Sequence, residues 1–237
     1  MIKALLLLLK AGKLGKVLLT GGTMLISVIA YSWVFGWWYA VGFVGLIFAH
    51  EMGHYVAARQ RGLNVGAPTF IPFIGAWIQL KDMPHDVETE AYVGVAGPLA
   101  GTLASLATYF VAREQDSQLL LAVAYSGFFL NLFNLIPISP FDGGRVTAVI
   151  SPRLWLIGAP ILIALFFYRP SPLLILIAIL AAPNLVKAWR GVQTAEEQAY
   201  YIASAETRFT YALLYLGLAA FLAIMCDALY QELPRGF

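Results

Sequence analysis

Histidine, cysteine and charge are all scarce in this chain, and each shortage removes a class of answers. There are three histidines, His50, His54 and His85. That is too few for the histidine-rich di-iron sites found in some membrane enzymes. The single cysteine, Cys226, excludes an intramolecular disulfide framework and a cysteine-based zinc cluster. Charged residues make up 12% of the 237, about half of what a soluble domain carries. Apolar residues fill the difference, at 60% with a mean hydropathy of +0.77. The composition is that of a polytopic membrane protein with little room for a separate soluble domain. A net charge of +2 says little, so the placement of charge matters more than its total.

The hydropathy pattern predicts an all-α membrane protein of six to seven transmembrane helices. The spans are expected near 17–35, 39–58, 89–112, 118–136, 154–168, 172–189 and 209–228, most of them close to the ~20 residues that cross a hydrocarbon core. The fifth is short and contains Pro160. Ahead of them, residues 1–16 combine a leucine run with Lys10, Lys13 and Lys16 and lack a small-residue cleavage site. They read as a retained basic, amphipathic segment. Residues 17–150 then form a core, and 151–237 a set of C-terminal helices with a polar linker. If the N-terminus starts in the cytoplasm and the chain alternates through seven spans, the cytoplasmic side collects Lys3, Lys10, Lys13, Lys16, Arg59, Arg61, Lys81, Arg145, Arg153, Lys187, Arg190 and Arg208. Only Arg113, Arg169 and Arg235 fall on the other side. Basic residues favour the cytoplasmic face, so this orientation is the expected one.

Between the second and third spans, Gly62–Gly66 and Phe70–Leu80 are rich in β-branched and aromatic residues punctuated by glycine and proline. They read as a short β-hairpin lying against the membrane on the cytoplasmic side.

Chemistry enters where the second span ends, at His50-Glu51-Met52-Gly53-His54. On a helix, histidines four apart share a face and can grip one metal ion, and the glutamate beside them can take a proton from a metal-bound water. Polar side chains after so apolar a run are costly in lipid and call for a functional reason. Catalytic zinc usually takes three protein ligands. The candidate third is Asp142, in Asn134-Leu135-Ile136-Pro137-Ile138-Ser139-Pro140-Phe141-Asp142-Gly143-Gly144. Two prolines three apart interrupt the helix there, and the paired glycines suggest a tight return. In the charge-derived topology the second and fourth spans run in the same direction. His50, His54 and Asp142 therefore arrive at similar depth.

These two motifs, with Ala96-Gly97-Pro98 on the intervening span, resemble the site-2 protease family of intramembrane zinc metalloproteases, peptidase family M50. The resemblance covers about residues 50–144. It implies that His50, His54 and Asp142 bind one zinc ion and that Glu51 is the general base. It also implies that Asn134 helps to position the substrate strand or stabilise the oxyanion. The implied substrate is a membrane-anchored protein cut within or near its transmembrane segment, as in regulated intramembrane proteolysis. The implied partners are that substrate and the bilayer, with no nucleic acid. The expected setting, from the placement of lysine and arginine and the compact length, is a multi-pass protein with a cytoplasmic N-terminus in a prokaryotic cell membrane.

Plainer readings stand beside these. A catalytically silent scaffold would retain the fold without needing Glu51, and a metal transporter would string acidic residues through several spans, which this chain does not. Glu51 could instead pair with Arg59 or Arg61. His85 reads as a solvated loop histidine, the sharper alternative being a removable fourth ligand. Asn131 reads as a helix-packing amide, Gly97 and Gly101 as helix-packing glycines. The tryptophans Trp33, Trp37, Trp38, Trp77, Trp155 and Trp189 read as interfacial anchors, and 193–208 as a solvated helix. The hairpin offers an edge to which an unwound substrate could add a strand.

Overall fold

The computed structural model describes residues 13–80 and 82–233. Most of the amphipathic segment expected at 1–16 therefore lies outside the described residues. The elements are α1 (Lys13–Phe35), α2 (Trp37–Gln60), β1 (Val65–Ile71), β2 (Gly75–Leu80), α3 (Val87–Glu114), α4 (Gln118–Asn134), α5 (Asp142–Ile150), a 3-10 turn (Pro152–Leu154), α6 (Trp155–Tyr168), α7 (Pro172–Arg190), α8 (Ala195–Tyr200) and α9 (Ala205–Glu232). Each expected span falls on a helix. Among the described residues, four helices are long and apolar enough to cross a membrane: the 18–35 part of α1, and α3, α7 and α9. The chain is an integral membrane protein. Helix α2 has the length, at 24 residues, but its C-terminal half carries the polar motif. Helices α4 and α6 are shorter, at 17 and 14 residues.

The helix starts follow local chemistry. Asp86, Ser117, Ser171, Thr194 and Ser204 each accept a backbone N–H from the first turn of α3, α4, α7, α8 and α9, relieving donors that a helix leaves unpaired. One apolar cluster runs from Val87 on α3 through α4 to α7 and on to Leu229 on α9. A second joins Val28 and Tyr31 of α1 to Val44 and Ile47 of α2 and Phe70 of β1.

The hairpin is present, in a different register from the sequence pattern. The turn lies at 72–74, inside the Phe70–Leu80 run, with Phe73 at φ 62° and Ile71 opposite Gly75. Strand β1 is fastened to α1: Thr20 donates its hydroxyl to the Pro68 carbonyl at 2.8 Å, and Phe70 N–H donates to Thr23 Oγ1 at 3.3 Å.

Three further expectations change. Gly143 and Gly144 do not make a return; they sit in the first turn of α5, packed against the backbone of 135–139, where any side chain would collide. Trp155 is no interfacial anchor. It is buried and its indole donates to the Gly144 carbonyl at 2.7 Å, whereas Trp33, Trp37, Trp38 and Trp189 are exposed and the side chain of Trp77 is outside the described ones. The 193–208 linker is a solvated helix over 195–200, as expected, but it is also tied to the helices beside it. Tyr200 donates to Glu90 on α3, Lys187 pairs with Glu197 at 3.0 Å, and Arg208 donates to the Ile150 carbonyl.

Candidate metal centre

Helix α2 delivers His50 and His54 on one face, and the non-helical stretch 135–141 hands the chain to α5 with Asp142 as its first residue. The prolines do what was expected of them: the helix stops at Asn134, and the turns that follow are closed by local bonds such as Phe141 N–H to the Ile138 carbonyl at 3.0 Å. Tyr215 on α9 caps the Leu135 carbonyl at 2.6 Å.

The three candidate ligand atoms form a nearly equilateral triangle. His50 Nε2 is 3.1 Å from Asp142 Oδ2, His54 Nε2 is 3.2 Å from the same oxygen, and the two Nε2 atoms are 3.1 Å apart. All three residues are buried. A tetrahedral zinc ion with ligands at ordinary distances needs edges of about 3.3–3.4 Å. The triangle is therefore close to the face of such a tetrahedron. Each ring turns its other nitrogen away from the cluster. His54 Nδ1 donates to the Val93 carbonyl on α3 at 2.7 Å, and His50 Nδ1 is 2.8 Å from Asn131 Oδ1 on α4. Two Nε2 atoms and a carboxylate oxygen thus converge on one point. Two imidazoles and one carboxylate are a donor set that suits zinc, so the residues fit the metal.

The site depends on α3 for room. A side-chain carbon at Gly97 would collide with the His54 ring, and one at Gly101 with the Asn131 carboxamide. The close approach read from the sequence as helix against helix is thus made by side chains of the site itself.

Glu51 is 5% exposed and close enough to feel the charges of His50, His54, Asp142 and Arg145. It is not partnered by Arg61, which lies 3.8 Å from Glu88 and over the Tyr92 ring. Asp142 Oδ1 is 3.7 Å from Arg145, whose Nε is 4.0 Å from Glu90. Asn134 ends α4 and is partly exposed beside the 135–141 stretch. His85 is exposed and stands apart from the triad.

A helix-borne pair of histidines with an adjacent glutamate, joined by an aspartate from beyond a broken helix and set among apolar helices, is the arrangement that the resemblance in the sequence implies. The profile of peptidase family M50 matches residues 38–116. Two curated proteins are similar over part of the chain. The chain is 31% identical over 106 residues to the zinc metalloprotease MJ0392 of Methanocaldococcus jannaschii, covering 43% of this chain and 30% of that protein. It is 33% identical over 87 residues to the probable zinc metalloprotease EGY1, chloroplastic, of Arabidopsis thaliana, covering 33% and 16% respectively. The chain thus spans less than a third of the length of these curated relatives.

Of the residues that matter, sequence reasoning passed over two. Asn131 reads from the sequence as a packing amide, and its 81-residue separation from His50 hides their bond. Arg145 was counted only as a basic residue, although its place three residues after Asp142 on a helix could have signalled the contact.

Proposed function

We propose that this protein is an intramembrane zinc endopeptidase that cuts a membrane-anchored protein within or near its transmembrane segment. The observation that carries the reading is the triangle of His50 Nε2, His54 Nε2 and Asp142 Oδ2 with edges of 3.1–3.2 Å. These three residues would hold the metal. Bound zinc supplies a Lewis acid that polarises a scissile carbonyl and lowers the pKa of water to about 7. Glu51, next to His50 and sheltered from bulk water, takes the proton from the attacking water and returns it to the departing amine. Asn134, at the open end of α4, points the substrate or its developing oxyanion. Asp142 keeps its orientation through Arg145.

A transmembrane helix hides its carbonyls in its own hydrogen bonds, so the substrate must unwind before attack. Strand β2 offers the edge for it, because the far side of β1 is fastened to α1. The reading extends to a protein in a prokaryotic cell membrane with a cytoplasmic N-terminus, acting in regulated proteolysis.

The deciding experiment measures zinc per purified chain and cleavage of a reconstituted single-span reporter substrate. Native protein should hold close to one zinc. Asp142→Ala should lose it, while Glu51→Gln should keep it and cut about 10²–10⁴-fold more slowly. Native protein without tightly held zinc would favour the silent scaffold, and zinc unchanged in Asp142→Ala would remove Asp142 from the ligand set.

A further inference from the structure

We propose that Asn131 is a positioning residue of the metal centre. On this view, which rests on the zinc reading above, its carboxamide holds His50 as the Nδ1–H tautomer and aims the Nε2 lone pair at the triangle.

The orientation of the carboxamide follows from its two neighbours. Asn131 is fully buried. On one side lies the Gly127 carbonyl oxygen, 2.7 Å from Nδ2. A carbonyl oxygen only accepts, so the group facing it must be the NH₂. The Asn131 oxygen is thereby turned to the His50 ring, 2.8 Å from Nδ1. That oxygen also only accepts, so Nδ1 must carry the hydrogen. A neutral imidazole with its proton on Nδ1 has its lone pair on Nε2. The chain of inference therefore starts at a backbone carbonyl of α4 and ends at the direction of a ligand lone pair on α2.

The surroundings are built for this amide and leave it no alternative. A side chain at Gly101 on α3 would occupy the space of its carboxamide. One at Gly127 would run into Ser105 of α3 and Leu46 of α2, holding apart the helices that enclose it. Residues of all three helices thus converge on one side chain that touches one metal ligand. A helix-packing amide would need only a neighbouring backbone; this one spends its oxygen on a histidine that already has a second role. The choice of amide also matters. An aspartate could accept from His50 but would set a carboxylate oxygen against the Gly127 carbonyl with no proton between them. Asparagine serves both contacts and adds no charge beside Asp142. His54 obtains the same service from the Val93 carbonyl, which no substitution can remove. Asn131 is the side chain on which the geometry of the first histidine rests. Partners of this kind typically carry 10–100-fold in metal affinity.

The test compares native protein with Asn131→Leu and Asn131→Asp, each purified in mild detergent, for zinc affinity by chelator competition and for thermal unfolding in excess chelator. The leucine variant should bind zinc about 10–100-fold more weakly than native. The aspartate variant, which restores an acceptor for His50, should recover most of that affinity even though it loses the Gly127 bond and unfolds earlier. A packing role alone would lower the unfolding temperature of both and leave zinc affinity alike in both, and that pattern would overturn the proposal. A leucine variant can misfold, so ¹⁵N-histidine spectra of native protein in excess chelator, at a pH where His50 is neutral, give a second readout. A proton on His50 Nδ1 without metal supports the assignment, and a proton on Nε2 sinks it. Native protein that binds no zinc at all removes the protease reading first, and this inference with it.

Discussion

At the scale of single residues, the candidate metal centre is decided by what is missing from α3 as much as by what α2 carries. Gly97 is the sharpest case. Alanine in place of glycine inside a helix ordinarily stabilises by about 1 kcal/mol, so Gly97→Ala would be expected to help α3. The methyl would instead land on the His54 ring, and α3 cannot withdraw without losing the Val93 carbonyl from His54 Nδ1. Displacing a ligand outweighs the gain in propensity. Gly97→Ala should therefore weaken zinc binding by at least about tenfold, in the range typical of disturbed ligand positioning, with the helices still formed. Gly45, on α2, provides the control, since a methyl there meets nothing within 4 Å and zinc should be unaffected. Chelator competition on the two variants checks this, and equal affinity in both would mean that His54 has room to move.

At the scale of elements, the 191–204 segment is a strap tied at three points, and Tyr200 is the tie nearest the site. Its phenol is half-buried and faces the Glu90 carboxylate, and both push its pKa well above the ordinary value. It therefore remains a donor throughout the range in which such a protein works. Glu90 in turn faces Arg145, which faces Asp142. Tyr200→Phe removes the donor and leaves the Arg145 contact with Asp142 in place. The expected result is faster tryptic cleavage after Arg190 with zinc content unchanged. Cleavage at the native rate would show that Lys187–Glu197 and Arg208 hold the strap unaided.

Much of this element structure was legible in the sequence because apolar runs of helix length have few other readings in a membrane protein. The motif pair was legible too, since two histidines four apart and an aspartate after a double proline need no tertiary knowledge. Helix α5 was not legible: Gly143-Gly144 signals a turn to any local reading, and only the backbone of 135–139 lying against it shows that small residues are needed for packing. The same holds for Trp155, whose burial depends on the Gly144 carbonyl, and for Asn131, whose partner lies on another helix. Local patterns carry periods and breaks; they do not carry which distant groups fill a given space.

At the scale of the whole molecule, the contacts between helix ends constrain how many times the chain crosses the bilayer. Helix α3 has 28 residues, about 42 Å at 1.5 Å per residue, long enough to reach from one face of a bilayer to the other. The Tyr200–Glu90 bond puts the strap at its first turn, and the Arg208 bond to Ile150 puts the start of α9 beside the end of α5. At the far end of α3, Arg113 meets Glu232 of α9 at 2.6 Å. Gln115 and Gln193 should thus lie on opposite faces, whatever α6 and α7 do. Those two helices either both cross or both dip in and return, and α6, with 14 residues, spans only about 21 Å, short of a hydrocarbon core of about 30 Å. The 3-10 turn before it and local thinning of the bilayer can supply the rest. The position that separates the cases is Arg169, between them. In a Cys226→Ser background, Gln115→Cys and Arg169→Cys should react with a membrane-impermeant thiol reagent on intact cells, and Gln193→Cys only after permeabilisation. Arg169→Cys reacting together with Gln193→Cys would reduce the crossings from seven to five, with α6 and α7 as a pair inserted from one face. A reversed pattern for all three would leave the count at seven and overturn the orientation drawn from lysine and arginine.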